Sequence, residues 1–268
     1  MTVRKPVVAG QFYSGGKAAL KKEVARLITE KPEKISALGV VSPHAGYAYS
    51  GPVAGEVLSA IKPKPAYIIL GPNHTGFGKP FGLDAGRSWK TPLGEVPIDR
   101  GLAEAILAGS QYIKKDTLCH DREHSIEVQL PFLQYLTANF TFVPIVISYA
   151  ERETYKHIGK ELARAVKSFK KDVTIIASSD MTHYEPHETA KKKDSAAIEK
   201  ILALDVDGFL DTIEELNISM CGFAPTAIMM QAALGLGAKR AKLIKYNTSG
   251  DTSGDYSAVV GYAGIVIY

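Results

Sequence analysis

The chain has 268 residues, 46% hydrophobic and 22% charged, with a formal net charge of +4 at pH 7 and two cysteines. These proportions are those of a folded globular protein, and they exclude a disordered chain and a disulfide scaffold. No run approaches the roughly 18 apolar residues of a spanning helix, and the N-terminal apolar stretch from Pro6 is too interrupted for a signal-peptide core. The lysines at 191–193 read as a solvated helix face, so a cytoplasmic protein with neither a membrane nor a nucleic acid as partner is expected.

In chain order, Leu20, Val24, Leu27 and Ile28 recur at helical intervals within residues 17–28 and predict an amphipathic surface helix. A short apolar strand is expected at 38–41. A helix carrying Val53, Val57, Leu58 and Ile61 follows, closed by Pro63, and the uninterrupted run at 66–70 is the pattern of a strand covered on both faces. Strand, helix and strand over this length form a βαβ unit with parallel, neighbouring strands. Within 81–99, the turn sequence Thr91-Pro92-Leu93-Gly94 between short extended segments predicts an antiparallel hairpin inserted at the sheet edge. Further strands are expected at 140–147, 173–177, 242–246 and 258–267, with helices between them. No linker or repeat divides residues 1–268. The fold class expected is α/β: a single three-layer domain with a mixed, largely parallel central sheet flanked by helices.

In open α/β sheets, ligands bind beyond the carboxyl ends of the strands. "VVSPHAG" places His44 just past the first strand of the βαβ unit, and "IILGPNHTG" places His74 just past the second, so the two imidazoles should meet. A third apolar run, "VTIIASSDMTHYEP", ends in Asp180 and His183. Each alone is ordinary loop polarity; together, at three strand ends, they point to one cleft. Neutral imidazole is the commonest metal ligand, and two imidazoles with a third donor make a metal site with open positions. Cys221 in "NISMCGFAPTAIMM" is the candidate third donor. Pro225 suits the first turn of a helix there, and a thiol at a helix N-terminus is expected to have a lowered pKa.

Other motifs carry less. His120-x-x-Glu123-His124 matches a zinc-peptidase pattern that works only within a helix. The apolar positions Ile126, Leu130, Leu133 and Leu136 start that helix near Asp121 or Ser125, so His120 falls at its edge and His124 is expected to face the cleft. Cys119 reads as structural. "YNTSGDTSGDYSAVVGYAG" lacks a phosphate-loop pattern and reads as a turn between two strands, with Asp251 and Asp255 as potential pocket groups.

Taken together, "SPHAGYAYSG", "LGPNHTG", "HDREHSIEVQLPFL", "SSDMTHYEP", "CGFAPTAI" and "TSGDTSGDYSAVVGYA" resemble the Memo family, in order over nearly the whole chain. The resemblance implies the fold of the class III extradiol dioxygenase catalytic subunits and a prokaryotic or archaeal member, of the kind grouped with a radical-SAM protein. It implies metal ligands at His44, His74 and Cys221, with Asp180, His183 and His124 in the same pocket. Where the dioxygenases use a carboxylate as third ligand, this pattern has a cysteine, which suits copper, zinc or a differently tuned Fe(II). The expected function is therefore a non-haem redox enzyme holding Fe(II) or Cu, or Zn, and acting on a small molecule. His183 is the expected acid/base group, Asp180 its partner, and His124 supports substrate or O₂. The alternatives are a peptide- or protein-binding module using the same cleft, as the animal relative implies, and a metal-dependent hydrolase.

Overall fold

A computed structural model describes residues 2–268. The elements are β1 (Val3–Arg4), α1 (Lys17–Leu27), β2 (Gly39–Ser42), α2 (Tyr47–Ser59), β3 (Ala66–Pro72), β4 (Phe81–Leu83), β5 (Ser88–Thr91), β6 (Gly94–Val96), α3 (Arg100–Gly109), β7 (Lys114–Lys115), α4 (Leu130–Leu136), β8 (Thr141–Ile147), α5 (Arg152–Ser168), β9 (Val173–Ser178), β10 (His183–Glu185), α6 (His187–Leu202), α7 (Val206–Glu215), α8 (Phe223–Gly235), β11 (Ala241–Thr248), α9 (Gly250–Ser253) and β12 (Val259–Ile267). The expected strands and helices thus form, most within a residue or two of the predicted ends.

Nine strands make one mixed sheet in the order β10-β12-β2-β9-β3-β8-β4-β7, with β11 on the outer side of β12. β2, β9, β3 and β8 run parallel, while β12 is antiparallel to β2, and β4 to β8. The four parallel strands are almost wholly buried, which is why their sequences are unbroken apolar runs instead of alternating ones. Helices cover both faces. A side chain at Gly264 would press on Val57 of α2, and one at Gly261, three residues earlier and on the opposite face, would meet Asp194 of α6. α8 lies on the α6 face with Met229 over Gly39, α5 packs outside α8, and Leu27 of α1 fits against Gly51 and Gly55 of α2.

Four expectations are corrected. β2 and β3 are parallel and end at one edge, but they are not neighbours: β9 lies between them. The crossover skips one position, which nothing local in the βαβ sequence encodes. Second, the hairpin β5–β6 leaves the central sheet and pairs with β1, while β4 alone joins the main sheet. Trp89 of β5 is fully buried beneath the Arg4 guanidinium, 3.9 Å from the ring centroid, and this contact carries the hairpin to the N-terminal strand. Third, the helix expected from residue 121 or 125 begins only with a 3-10 turn at Glu127–Gln129 that runs into α4. The Glu123 carboxylate accepts from the backbone N–H groups of His124 and Ser125 and holds this stretch as a loop. Fourth, Asp251 and Asp255 are exposed and accept from Thr248 and Ser257 N–H within the β11–β12 turn, closed by Gly254 in the left-handed region. They do not line the cleft.

The N-terminal arm is clamped to the rest through one buried carboxylate. Glu127 accepts from Arg4 Nη1 (2.7 Å), Val7 N (2.9 Å), Val8 N (3.1 Å) and Tyr13 Oη (2.6 Å). Arg4 also donates to the carbonyls of His120 (2.8 Å) and Glu123 (2.6 Å). Removing one partner of a buried ion pair strands the other, at a cost of about 3–5 kcal/mol. Arg4→Met is therefore expected to lower unfolding stability by about 3 kcal/mol or more, read from the midpoint of a urea titration. An unchanged midpoint would show that the pair contributes nothing.

Candidate functional site

The site lies beyond the carboxyl ends of β2, β9 and β3. His44 stands two residues past β2 and His74 two past β3, and each has its backbone N–H captured by a carboxylate from another loop. His44 N donates to Asp180 Oδ1 at 2.7 Å, and His74 N to Glu123 Oε2 at 2.7 Å. The two rings meet edge to face, with centroids 5.1 Å apart. Cys221, immediately before Gly222 at the start of α8, brings its Sγ to 3.2 Å from His44 Nε2. One ligand atom from each of His44, His74 and Cys221 lies within 4.8 Å of the others, a spacing that can hold a metal ion.

The remaining ring nitrogens of the two histidines are engaged. His44 Nδ1 faces Ser178 Oγ at 3.0 Å, and His74 Nδ1 faces Glu123 Oε1 at 2.9 Å. Metal-ligating histidines nearly always have their second nitrogen held in this way, so the donor set fits a metal both in its atoms and in what orients them.

His124 stacks on His74 at 4.8 Å and takes Phe12 from the N-terminal arm edge-on, also at 4.8 Å. His183 donates from its backbone N to Ser219 Oγ at 2.8 Å and sets Nδ1 against the Ser219 carbonyl at 2.9 Å. A carbonyl only accepts, so that nitrogen carries the proton and Nε2 is the free one. Phe12, His44, His74, His124, Asp180, His183 and Tyr184 wall a cleft of about 190 Å³. Larger grooves of about 450 and 500 Å³, near Phe140 and Phe223, contain no comparable cluster of ligating groups.

Burial and neighbouring charge give the ionisable groups distinct states. Burial holds His44 well below its usual pKa, with His74 and His124 adding to this. Burial lowers His124 as well. Burial also works against the charged form of His74, but its hydrogen bond and ion pair with Glu123 outweigh this and raise it. Glu123 is itself disfavoured by burial, yet the His74 hydrogen bond and backbone donors bring it down to about 2. Asp180 goes the other way: burial pushes it up to about 6 despite the His44 and Ala45 N–H groups.

All six residues singled out from the sequence come together: His44, His74, Cys221, Asp180, His183 and His124. Two details are corrected. Asp180 is not hydrogen-bonded to His183; its Oδ1 is occupied by the His44 and Ala45 backbone. The Cys221 thiol is raised, not lowered, because burial and the Asp180 carboxylate outweigh the hydrogen bonds from Asp180 N–H and Ser179. His120 is turned away from the cleft, donating from Nε2 to Gly82 O at 3.1 Å and lying edge-on to Trp89, so the peptidase pattern has no spatial counterpart. Cys119 is buried against Gly78 and Gly82, as expected of a structural thiol. Sequence reasoning missed Ser178, Phe12 and the pairing of Glu123 with His74. Ser178 stands two residues before Asp180, inside a motif already singled out, but its contact with His44 spans 134 positions.

Fold and site define an α/β protein with a histidine-lined cleft at the carboxyl edge of its sheet and a cysteine thiol against one of those histidines. The family described as "Memo-like protein" matches residues 4–266. The chain is 45% identical over 270 residues to a MEMO1 family protein of Methanosarcina acetivorans, covering 100% of both chains. It is 43% identical over 277 residues to one of Methanopyrus kandleri, covering 98% of both. A third, from Aquifex aeolicus, is 43% identical over 268 residues and 99% of both chains. The chain belongs to the Memo family. A crystal structure of an uncharacterised Escherichia coli K12 protein shares the fold at a TM-score of 0.56 and 11% identity, over 85% of this chain and 98% of that one.

Glu123 yields a pH signature. Its folded pKa lies below the ordinary value of 4.5, at about 2. It therefore contributes stability above pH 4.5 that is lost as the pH falls towards 2. Glu123→Gln is expected to remove that part of the acid dependence, so that wild type and variant converge in urea stability as the pH falls through this window. Parallel curves would show that the carboxylate is not held by His74.

Proposed function

We propose that this chain is a metal-dependent redox protein of the Memo family, holding one Fe(II) or copper ion through His44, His74 and Cys221 and acting on a small molecule. The observation that carries the reading is the convergence of two imidazoles and a thiol, with both second ring nitrogens already engaged by Ser178 and Glu123. A thiolate with two imidazoles is a donor set for copper, zinc or Fe(II) with open positions. A metal bound there would supply Lewis acidity and redox capacity, with Cys221 as a thiolate ligand.

The chain's own residues would then handle protons. His183, its Nδ1 fixed by Ser219, offers Nε2 as the acid/base atom. Asp180, its Oδ1 held by the His44 and Ala45 N–H groups and its Oδ2 4.0 Å from His44 Nε2, would set its negative charge beside the ligating ring without partnering His183. His124, stacked on His74 and met edge-on by Phe12, would form a wall for substrate or O₂. A cleft of about 190 Å³ is below the roughly 300–1,000 Å³ of typical ligand pockets and favours a small ligand over an extended peptide. No helix among the described residues is long and apolar enough to cross a membrane.

Metal analysis after anaerobic purification tests the reading. Wild type is expected to retain about one equivalent of iron or copper per chain, with thiolate-to-metal charge-transfer absorption for an oxidised metal, and Cys221→Ser to lose both. Tight zinc with an open water position would favour the hydrolase. Absence of any metal under every loading condition would sink the metal reading and leave the cleft to a binding module.

A further inference from the structure

The Ser178 hydroxyl that engages the His44 ring belongs to a wider buried polar network that reaches Gln129 and Ser42. Ser178, the last residue of β9, is fully buried. Its hydroxyl donates to the Ser125 carbonyl at 2.7 Å. Gln129 reaches the same oxygen from the 3-10 turn before α4: its Nε2 lies 2.9 Å from Ser178 Oγ and 2.9 Å from the Pro43 carbonyl, while its Oε1 accepts from Ser42 Oγ at 2.8 Å. The carbonyl of Pro43 fixes which end of the Gln129 amide is which, because only the nitrogen can donate to it.

The hydrogen-bond accounting at Ser178 therefore closes. A hydroxyl has one proton and two lone pairs. The proton is committed to Ser125 O, and one lone pair to Gln129 Nε2–H. Only a lone pair is left for His44 Nδ1, 3.0 Å away, so His44 Nδ1 must be the donor. A neutral imidazole has a single N–H, so Nε2 is left as an unprotonated lone pair, on the side facing Cys221 Sγ. A histidine in water favours the other tautomer, which would point an N–H at the thiol and offer a metal nothing. His74 needs no such network, since the Glu123 carboxylate can only accept.

We infer that Ser178, locked by Ser125 and Gln129, is a positioning residue that imposes the Nδ1–H tautomer on His44 and so prepares Nε2 to ligate. This rests on the metal-binding reading for its purpose, but not for its test. Long-range ¹⁵N–¹H correlation spectra of metal-free, histidine-labelled protein report which ring nitrogen is protonated. Wild type is expected to show His44 with Nδ1 protonated, and Ser178→Ala to show a substantial Nε2–H population. With Zn(II) as probe against a competing chelator, Ser178→Ala is expected to bind about 10–100-fold more weakly.

Ser42→Ala is the control. Ser42 is equally buried and belongs to the same network, but it contacts Gln129 and not His44. It is expected to lower thermal stability while leaving tautomer and Zn(II) affinity unchanged. Should Ser178→Ala fail to fold, Ser178→Cys, whose thiol is a poorer acceptor, should shift the same nitrogen signals partway. Retention of the Nδ1–H tautomer in Ser178→Ala, or an equal loss of affinity in Ser42→Ala, would overturn the proposal. If wild type binds no metal, the function proposed above fails, while the metal-free spectra still decide the role of Ser178.

Discussion

The cleft depends on β9 lying between β2 and β3. Neighbouring strands are about 4.8 Å apart, so the ends of β2 and β3 are separated by roughly twice that distance. Two histidines that flank this gap lean inwards over the end of β9 and meet there. The residues at that end then become part of the site. Ser178 bonds to the His44 ring, Asp180 to the His44 backbone, and Ser179 Oγ accepts from Gly222 N at 2.9 Å, fastening the segment that carries Cys221. Adjacent strands would have crowded the imidazoles and left no middle strand to hold them.

Electrostatics divides the work between two buried carboxylates. Glu123 has the His74 ring and several N–H donors around it, and it stays charged across the physiological range. Asp180 has two backbone donors and full burial, and burial outweighs the donors, raising it to about 6. Each carboxylate also grips the backbone of a candidate ligand, so the histidines are positioned at both main chain and side chain. That double hold is what a site needs if its donor atoms are to be aligned before a ligand arrives.

Much of this was legible in the sequence because it is local. Apolar runs of strand length ending in Ser-Pro-His, Pro-Asn-His and Ser-Asp say where the strand ends are, and the binding-edge rule for parallel sheets says that these groups converge. Cys221 could be placed at a helix start from Pro225 alone. What escaped is long-range. No periodicity tells that the third strand enters between the first two, that Arg4 covers Trp89 and draws a hairpin off the central sheet, or that Ser178 supports His44. The thiol was misjudged for a related reason: a helix end is a local influence visible in sequence, whereas burial and the Asp180 charge come from the assembled fold.

The separations within the network also bear on how the chain is made. Arg4 and Glu127 are 123 residues apart, and His44 and Cys221 are 177 apart. During synthesis the N-terminal arm emerges well before the carboxylate that clamps it, and the first histidine long before the thiol. Contacts of such span close late and slowly. The half-made protein therefore offers exposed imidazoles and an unanchored arm, without the thiol that completes the donor set. The cleft comes into being only when nearly all of the chain has emerged, so a nascent fragment has no finished pocket.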